Sequence, residues 1–286
     1  ILDIIIYYIY FLLTGRDGGI PTIIKDLTET VTLYGISVLW FLPALFLAEI
    51  TFLAILKTAK KLAPIIALAV LIIALYLNNS LAALNAVHGN ETWFFVLHLF
   101  LFAIVRSLIC MGFVALGYYA AYIWQKIPGV SPTETGKYTV PADILIGINL
   151  LVTVFFLSRA NGGVDLHYGV FGNNTFVYFL TALTGSFGII FLCKATEGLK
   201  NKGPLRIFQY YGENSLVVMA THMDFYILYV SEVLAFHFIK YVNHAKSYIF
   251  NFMIVAFVLI AEIFMIEIIN RFFPFILGKT KSKRKA

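Results

Sequence analysis

Long apolar runs separated by short polar stretches fill this chain, and the pattern predicts an all-α fold, a polytopic transmembrane helical bundle. A membrane-spanning helix needs roughly 20 mostly apolar residues, and reading the runs against that length predicts about eight membrane segments. The first is the opening run 4–13. The others cover roughly 34–56, 62–77, 101–124, 144–157, 176–195, 215–233 and 248–273. The stretch 93–100 reads as an amphipathic lead-in to the fourth segment, and 144–157 is expected to extend backwards through Ala142 and Asp143. The longest loops are expected at 14–33, 78–92, 127–141 and 158–175.

Composition supports this reading. Apolar residues make up 60% of the 286 positions and charged residues 13%. A soluble domain is nearer half apolar and a quarter charged, so this chain has too little polar surface to stay dissolved. Cys110 and Cys193 lie in apolar runs without metal or disulfide spacing, and are expected to be small buried hydrophobes. The opening run is too short to span and the chain begins with Ile1, not methionine, which predicts a helix cut by the edge of the sequence and further residues upstream. No repeat or low-complexity linker interrupts the chain. Residues 1–286 therefore read as one membrane-embedded domain, with a basic tail at 278–286.

The basic residues set an orientation. With the C-terminus in the cytoplasm, fifteen Lys and Arg fall on the cytoplasmic side, five on the other, and Arg106 inside a span. The positive-inside rule expects this bias. The net charge of +6 is then a matter of topology and anionic lipid headgroups, with no call for nucleic acid.

A charge at mid-bilayer costs on the order of 2.5–3.5 kcal/mol on insertion scales, so polar residues inside spans face protein or a watery cavity. The candidates are Glu49, His98, Arg106, His222, Asp224, Glu232, Glu262 and Glu267. Pro43 predicts a kink before Glu49, and the pair suits a cavity wall; an ion pair of Glu49 with Arg106 is the structural alternative. His98 and Arg106 lie eight apart, on one helix face. The guanidinium fork of Arg106 suits a phosphate or carboxylate, or else neutralises a buried Glu. His222 and Asp224 lie two apart and point to different faces, which excludes a metal pair. His222 suits proton transfer or a bond to a neighbouring helix. Asn214 and Ser215 stand at the start of that helix and are expected to cap it. Glu262 and Glu267 are expected to face different neighbours, and Glu267 to pair with Arg271 four residues on. The loop 158–175, with Arg159, Asn161, Asp165, His167, Asn173 and Asn174, suits contact with a sugar or ordinary turn chemistry. Gly185-Ser186-Phe187-Gly188 reads as close helix packing.

Two stretches go further. Leu39-Trp40-Phe41-Leu42-Pro43-Ala44-Leu45-Phe46, and Tyr211-Gly212-Glu213-Asn214-Ser215-Leu216 followed by His222, resemble membrane acyltransferase family 3, especially its fucose 4-O-acetylase-like branch. Val164-Asp165-Leu166, Tyr168-Gly169 and Thr184-Gly185-Ser186 support the resemblance, which runs along most of the chain.

The resemblance implies a bundle of about ten membrane helices when intact, and transfer of acyl groups, usually acetyl, to hydroxyls. The donor would be acetyl-CoA or another cytoplasmic acyl-CoA, with no bound cofactor and no metal. The acceptor would be a glycan or small-molecule hydroxyl, in a multi-pass protein of the cell inner (plasma) membrane among its lipids. The family's essential arginine and histidine, expected upstream of Ile1, would be the catalytic residues. His222, Asn214 and Ser215 are then supporting candidates, Arg106 the candidate for holding the donor, and Trp40, Glu49 and Asp165 candidates for the acceptor. A transporter or flippase for a polar or lipid-linked solute is the rival reading, since transporters also bury charges; the lack of an internal repeat argues against it.

Overall fold

The computed structural model describes residues 19–89, 91–124, 139–196, 203, 205–223, 227–239 and 246–277. The expected first segment, Asp224 and the basic tail lie outside them. Among the described residues the fold is all-α, and the only bridge is an isolated one between Asp165 and Val170. The helices are α1 (Gly19–Val31), α2 (Phe41–Thr58), α3 (Ala63–His88), α4 (Thr92–Trp124), α5 (Thr139–Asn161), α6 (Thr175–Thr196), α7 (Leu205–Glu213), α8 (Ser215–Thr221), α9 (Ile227–Ile239) and α10 (Lys246–Phe272). Six of these, α2 to α6 and α10, are long and apolar enough to cross a membrane. They match six of the expected segments.

The seventh expected segment, 215–233, is instead two short helices, α8 and α9. The break begins with a turn at His222 and Met223, just after Thr221 ends α8. There the side chains of Thr221 and His222 both bond back into the preceding turn, at the carbonyls of Val217 and Val218. The expected loop 14–33 contains α1, because Ile20, Ile23, Ile24, Leu27 and Val31 recur at helical spacing with Lys25, Asp26 and Glu29 between them. Lys25 and Glu29 pair one turn apart at 3.7 Å. Pro43 does not kink α2. It sits in the first turn, where its missing N–H costs nothing, and a 3-10 turn (Ser37–Trp40) leads into it.

The chain divides into two compact units. One holds the described residues within 31–34 and 40–205, with α2 to α6. Its hub is α4, whose most apolar window is 61% buried against 22% or less for the other five spans. Small residues let the neighbours approach it. Ala44, Ala48 and Phe52 recur every four residues along α2 and pack with Ala67 of α3 and with Cys110, Met111 and Ala115 of α4. A second cluster joins Ala74 and Leu81 of α3 to Leu99, Phe102, Val105 and Ile109 of α4. Phe113 of α4 stacks on Phe179 of α6 at 4.9 Å.

Helices α5 and α6 run tightly together. A Cβ on Gly147 would meet the Leu192 side chain at 2.7 Å and the Gly188 carbonyl at 3.1 Å. Gly188 faces Leu150 and Leu151, and Gly185 faces Val154, so the glycines of the α6 motif do serve helix packing. Near one end of the pair, Lys194 of α6 reaches Asp143 of α5 at 3.4 Å, both side chains 7% exposed. Cys110 is buried, but Cys193 points away from the protein, because it lies on the outer side of α6.

The other unit holds residues 19–30, 35–39 and the described residues from 206 onwards. Here α8 and α9 both pack against α10.

Candidate functional site

Arg106 anchors the densest polar cluster of the first unit. It stands on the buried face of α4 and is 1% exposed. Its Nη1 donates to the carbonyl of His167 at 3.1 Å, and Nη2 donates to the carbonyl of Tyr34. The guanidinium carbon lies 4.6 Å from the Trp40 ring centre, 5.0 Å from Tyr34 and 5.7 Å from Phe102. An arginine suits such a place, since its planar head stacks on aromatic faces while donating in-plane. Among the described residues no carboxylate pairs with it, so the Glu49 ion pair is not formed. Glu49 lies on the outward face of α2, away from the cluster. His98 does share the Arg106 face, stacking on Phe102 at 5.7 Å.

The loop between α5 and α6 is held from several sides. Asn161 donates to the Phe171 carbonyl and accepts from the Asn174 amide. Asn174 in turn caps α6, accepting from the amides of Phe176 and Val177. Asn78 of α3, buried where a loop was expected, donates to the Gly169 carbonyl at 3.0 Å. Gly169 has φ +67°, and a Cβ there would lie 2.2 Å from the Asn78 oxygen, so only glycine fits. Asp165 accepts the His167 amide at 2.9 Å.

This frame lays the His167 ring flat on Tyr168, at 4.6 Å and 7°, with Tyr34 and Trp40 on its other sides at 5.1 and 5.6 Å. Among the described residues, five buried side-chain atoms lack a hydrogen-bond partner, and Arg106 Nε, His167 Nε2 and Asn78 Oδ1 belong to this one cluster. Such a concentration marks a site with polar capacity to spare.

Burial pushes the His167 imidazole below its ordinary value; Arg106 pushes the same way, and Asp165 pulls back. The unfolded ring takes its proton near pH 6.5 and the folded ring only lower, so His167 leaves stability intact above about 6.5 and erodes it as pH falls further. Thermal unfolding is therefore expected at a lower temperature at about pH 5.5 than at about pH 7.5, with His167→Phe shrinking the gap. An unchanged gap would place the sensitivity elsewhere.

In the second unit the polar residues line up along α10. Asn214 heads α8 as expected, but its side chain makes no cap bond. Its amide donates to the Tyr210 carbonyl and its oxygen accepts from Asn270, both at 2.9 Å, because α10 lies close enough to compete. Ser215 beside it is exposed. Glu262, fully buried, has a carboxyl oxygen 2.7 Å from the Thr221 hydroxyl oxygen. His222 lies within electrostatic reach of Glu262, and its Nδ1 contacts the Val218 carbonyl at 2.8 Å. With Nδ1 as the donor, Nε2 keeps its lone pair. Glu262 and Glu267 do face different partners: Glu267 accepts from Tyr210 at 2.9 Å and does not pair with Arg271. Burial and that carboxylate push the Tyr210 phenol up to about 12. Arg271 instead lies over Phe272.

The sequence candidates thus separate. Trp40, Arg106 and the Asp165 loop come together. Glu49 stands apart from them. Asn214, Ser215 and His222 belong to the other unit. Tyr34 and Asn78 join the cluster without standing in any motif; for Asn78 the available signal was an asparagine pair, Asn78-Asn79, at the end of an apolar run. The expectation that Arg106 clamps a donor's phosphates meets a guanidinium already engaged by two carbonyls and three rings. Two apolar cavities, of about 430 Å³ between α4 and α6 and about 730 Å³ among α3, α4 and α6, are lined by residues outside the cluster.

Six long apolar helices, with buried charges turned inward, define a multi-pass α-helical membrane protein. The chain belongs to the acyltransferase 3 family, whose acyltransferase-domain model matches residues 2–277, and it is an acyltransferase. No curated protein and no solved structure matches it.

Proposed function

We propose that this membrane acyltransferase carries an acetyl group from a cytoplasmic acyl-CoA to a sugar hydroxyl of a cell-surface glycan or a related small molecule, as in the fucose 4-O-acetylase-like branch. The family match along residues 2–277 carries the reading. The charge bias between the two sets of loops supports an orientation with the C-terminus in the cytoplasm, and the plasma membrane follows from the cell-surface acceptor proposed.

The chemistry is an attack of the hydroxyl oxygen on the thioester carbonyl. A base takes the hydroxyl proton, the new C–O bond forms, and the oxyanion is held by donors. Collapse breaks the C–S bond, and the proton leaves with the thiolate. His222 offers Nε2 for proton transfer, in support of the family's own histidine. Asn214, engaged by Asn270 and Tyr210, positions the start of α8, with Ser215 free beside it. In the other unit, Trp40 and Asp165 are the acceptor-side candidates, and Arg106 acts as the positioning residue for the loop that carries Asp165.

Membranes bearing the full-length protein are expected to move label from acetyl-CoA to added glycan. A general base contributes about 10²–10⁴-fold, so His222→Ala in a supporting role is expected to lower transfer by at least about tenfold without shifting the unfolding temperature. Unchanged transfer would leave His222 structural. Solute uptake without acylation would favour a transporter.

A further inference from the structure

The geometry points to the turn from Asp165 to Val170 as a binding platform for a pyranose ring, with the exposed face of Tyr168 as its floor. The inference rests on the acyl-transfer reading for its biological setting, and on the turn itself for its chemistry.

Tyr168 is 64% exposed although its ring is fixed. One face lies flat on His167, which is wedged against Trp40 and Tyr34 above the Arg106 guanidinium. The other face is open. Holding an apolar ring in the open normally costs order without return, but here four separate contacts do it: Arg106 on the His167 carbonyl, Asn78 on the Gly169 carbonyl, Asp165 on the His167 amide, and the Asp165–Val170 bridge. A preorganised ring binds without paying again for its own immobilisation.

The ligand class follows from shape and charge. A flat aromatic face suits the C–H face of a sugar ring, and the exposed Asp165 carboxylate in the same turn accepts hydroxyl hydrogens. Residues 162–174 contain no Lys or Arg, so the turn does not suit a phosphate headgroup. A quaternary ammonium prefers a cage of several rings, and only one face is free here. A tyrosine that merely sits in the membrane's aromatic belt needs none of the four constraints.

The test uses the full-length protein in nanodiscs, with methyl β-D-galactopyranoside and methyl β-D-glucopyranoside as probes and glycerol and choline as controls. Saturation-transfer NMR reads binding, and transfer of labelled acetyl reads KM and kcat separately. Tyr168→Ala is expected to weaken pyranoside binding and raise its KM by about tenfold or more, with kcat and the KM for acetyl-CoA within about twofold. Tyr168→Phe keeps the face and is expected to stay near wild type, as is Trp93→Ala, another exposed aromatic. Both variants should unfold at the wild-type temperature. Pyranoside binding that depends on Tyr168 without any acyl transfer would uphold the platform and sink the acyltransferase setting. Transfer that is indifferent to Tyr168, no pyranoside binding by wild type, equal binding of glycerol or choline, or equal losses in Trp93→Ala would each overturn the platform.

Discussion

Arg106→Ala is expected to lower the stability of its unit by at least about 3 kcal/mol, since it orphans two carbonyls at about 1–3 kcal/mol each and removes the stacking on Trp40, Tyr34 and Phe102. Both carbonyls lie far away in sequence, at Tyr34 and His167, so the loss loosens the chain before α2 and the loop before α6 together. Arg106→Lys is expected to recover only part of it. A lysine ends in a point charge and cannot aim two in-plane donors while lying flat on an indole. Thermal unfolding in detergent measures the loss, and cysteine labelling at Tyr168→Cys reports the loop. An unchanged unfolding temperature in Arg106→Ala would mean that Asn161 and Asn78 hold the loop unaided.

Breaking the α5–α6 ion pair is the second large effect. Lys194 and Asp143 are both shielded, so removing either partner strands a charge away from water. Lys194→Met and Asp143→Leu are each expected to cost about 3–5 kcal/mol, while the double variant returns to near wild type or above it. The reason is that the desolvation cost of the pair disappears along with its attraction, and Gly147 and Gly188 keep the helices in contact. Urea or thermal unfolding of all four proteins closes the cycle. Losses that simply add in the double variant would show that the two residues act separately.

Much of the site was hidden by its construction. Arg106 stood out in the sequence as a charge in an apolar run, but its partners are main-chain carbonyls, which carry no residue signature. Trp40 was legible through its motif, and His98 through helical spacing. Asn214 was placed at a helix start, but the capping expectation failed because Asn270, on a helix 56 residues away, competes for its oxygen. Glu267 was assigned to Arg271 by spacing along one helix, and a phenol from another helix took it instead.

The sequence by itself determined the all-α membrane architecture, six of the spans and the family, because apolar run length against bilayer thickness is a one-dimensional property and motifs are read in order. Only the tertiary structure decided which polar residues meet. Helical periodicity reports the face of a residue's own helix and says nothing of what the facing backbone offers. Hence the broken segment after His222, the inward turn of Asn78 and the flat stack of Tyr168 on His167 became visible only when the helices were placed side by side.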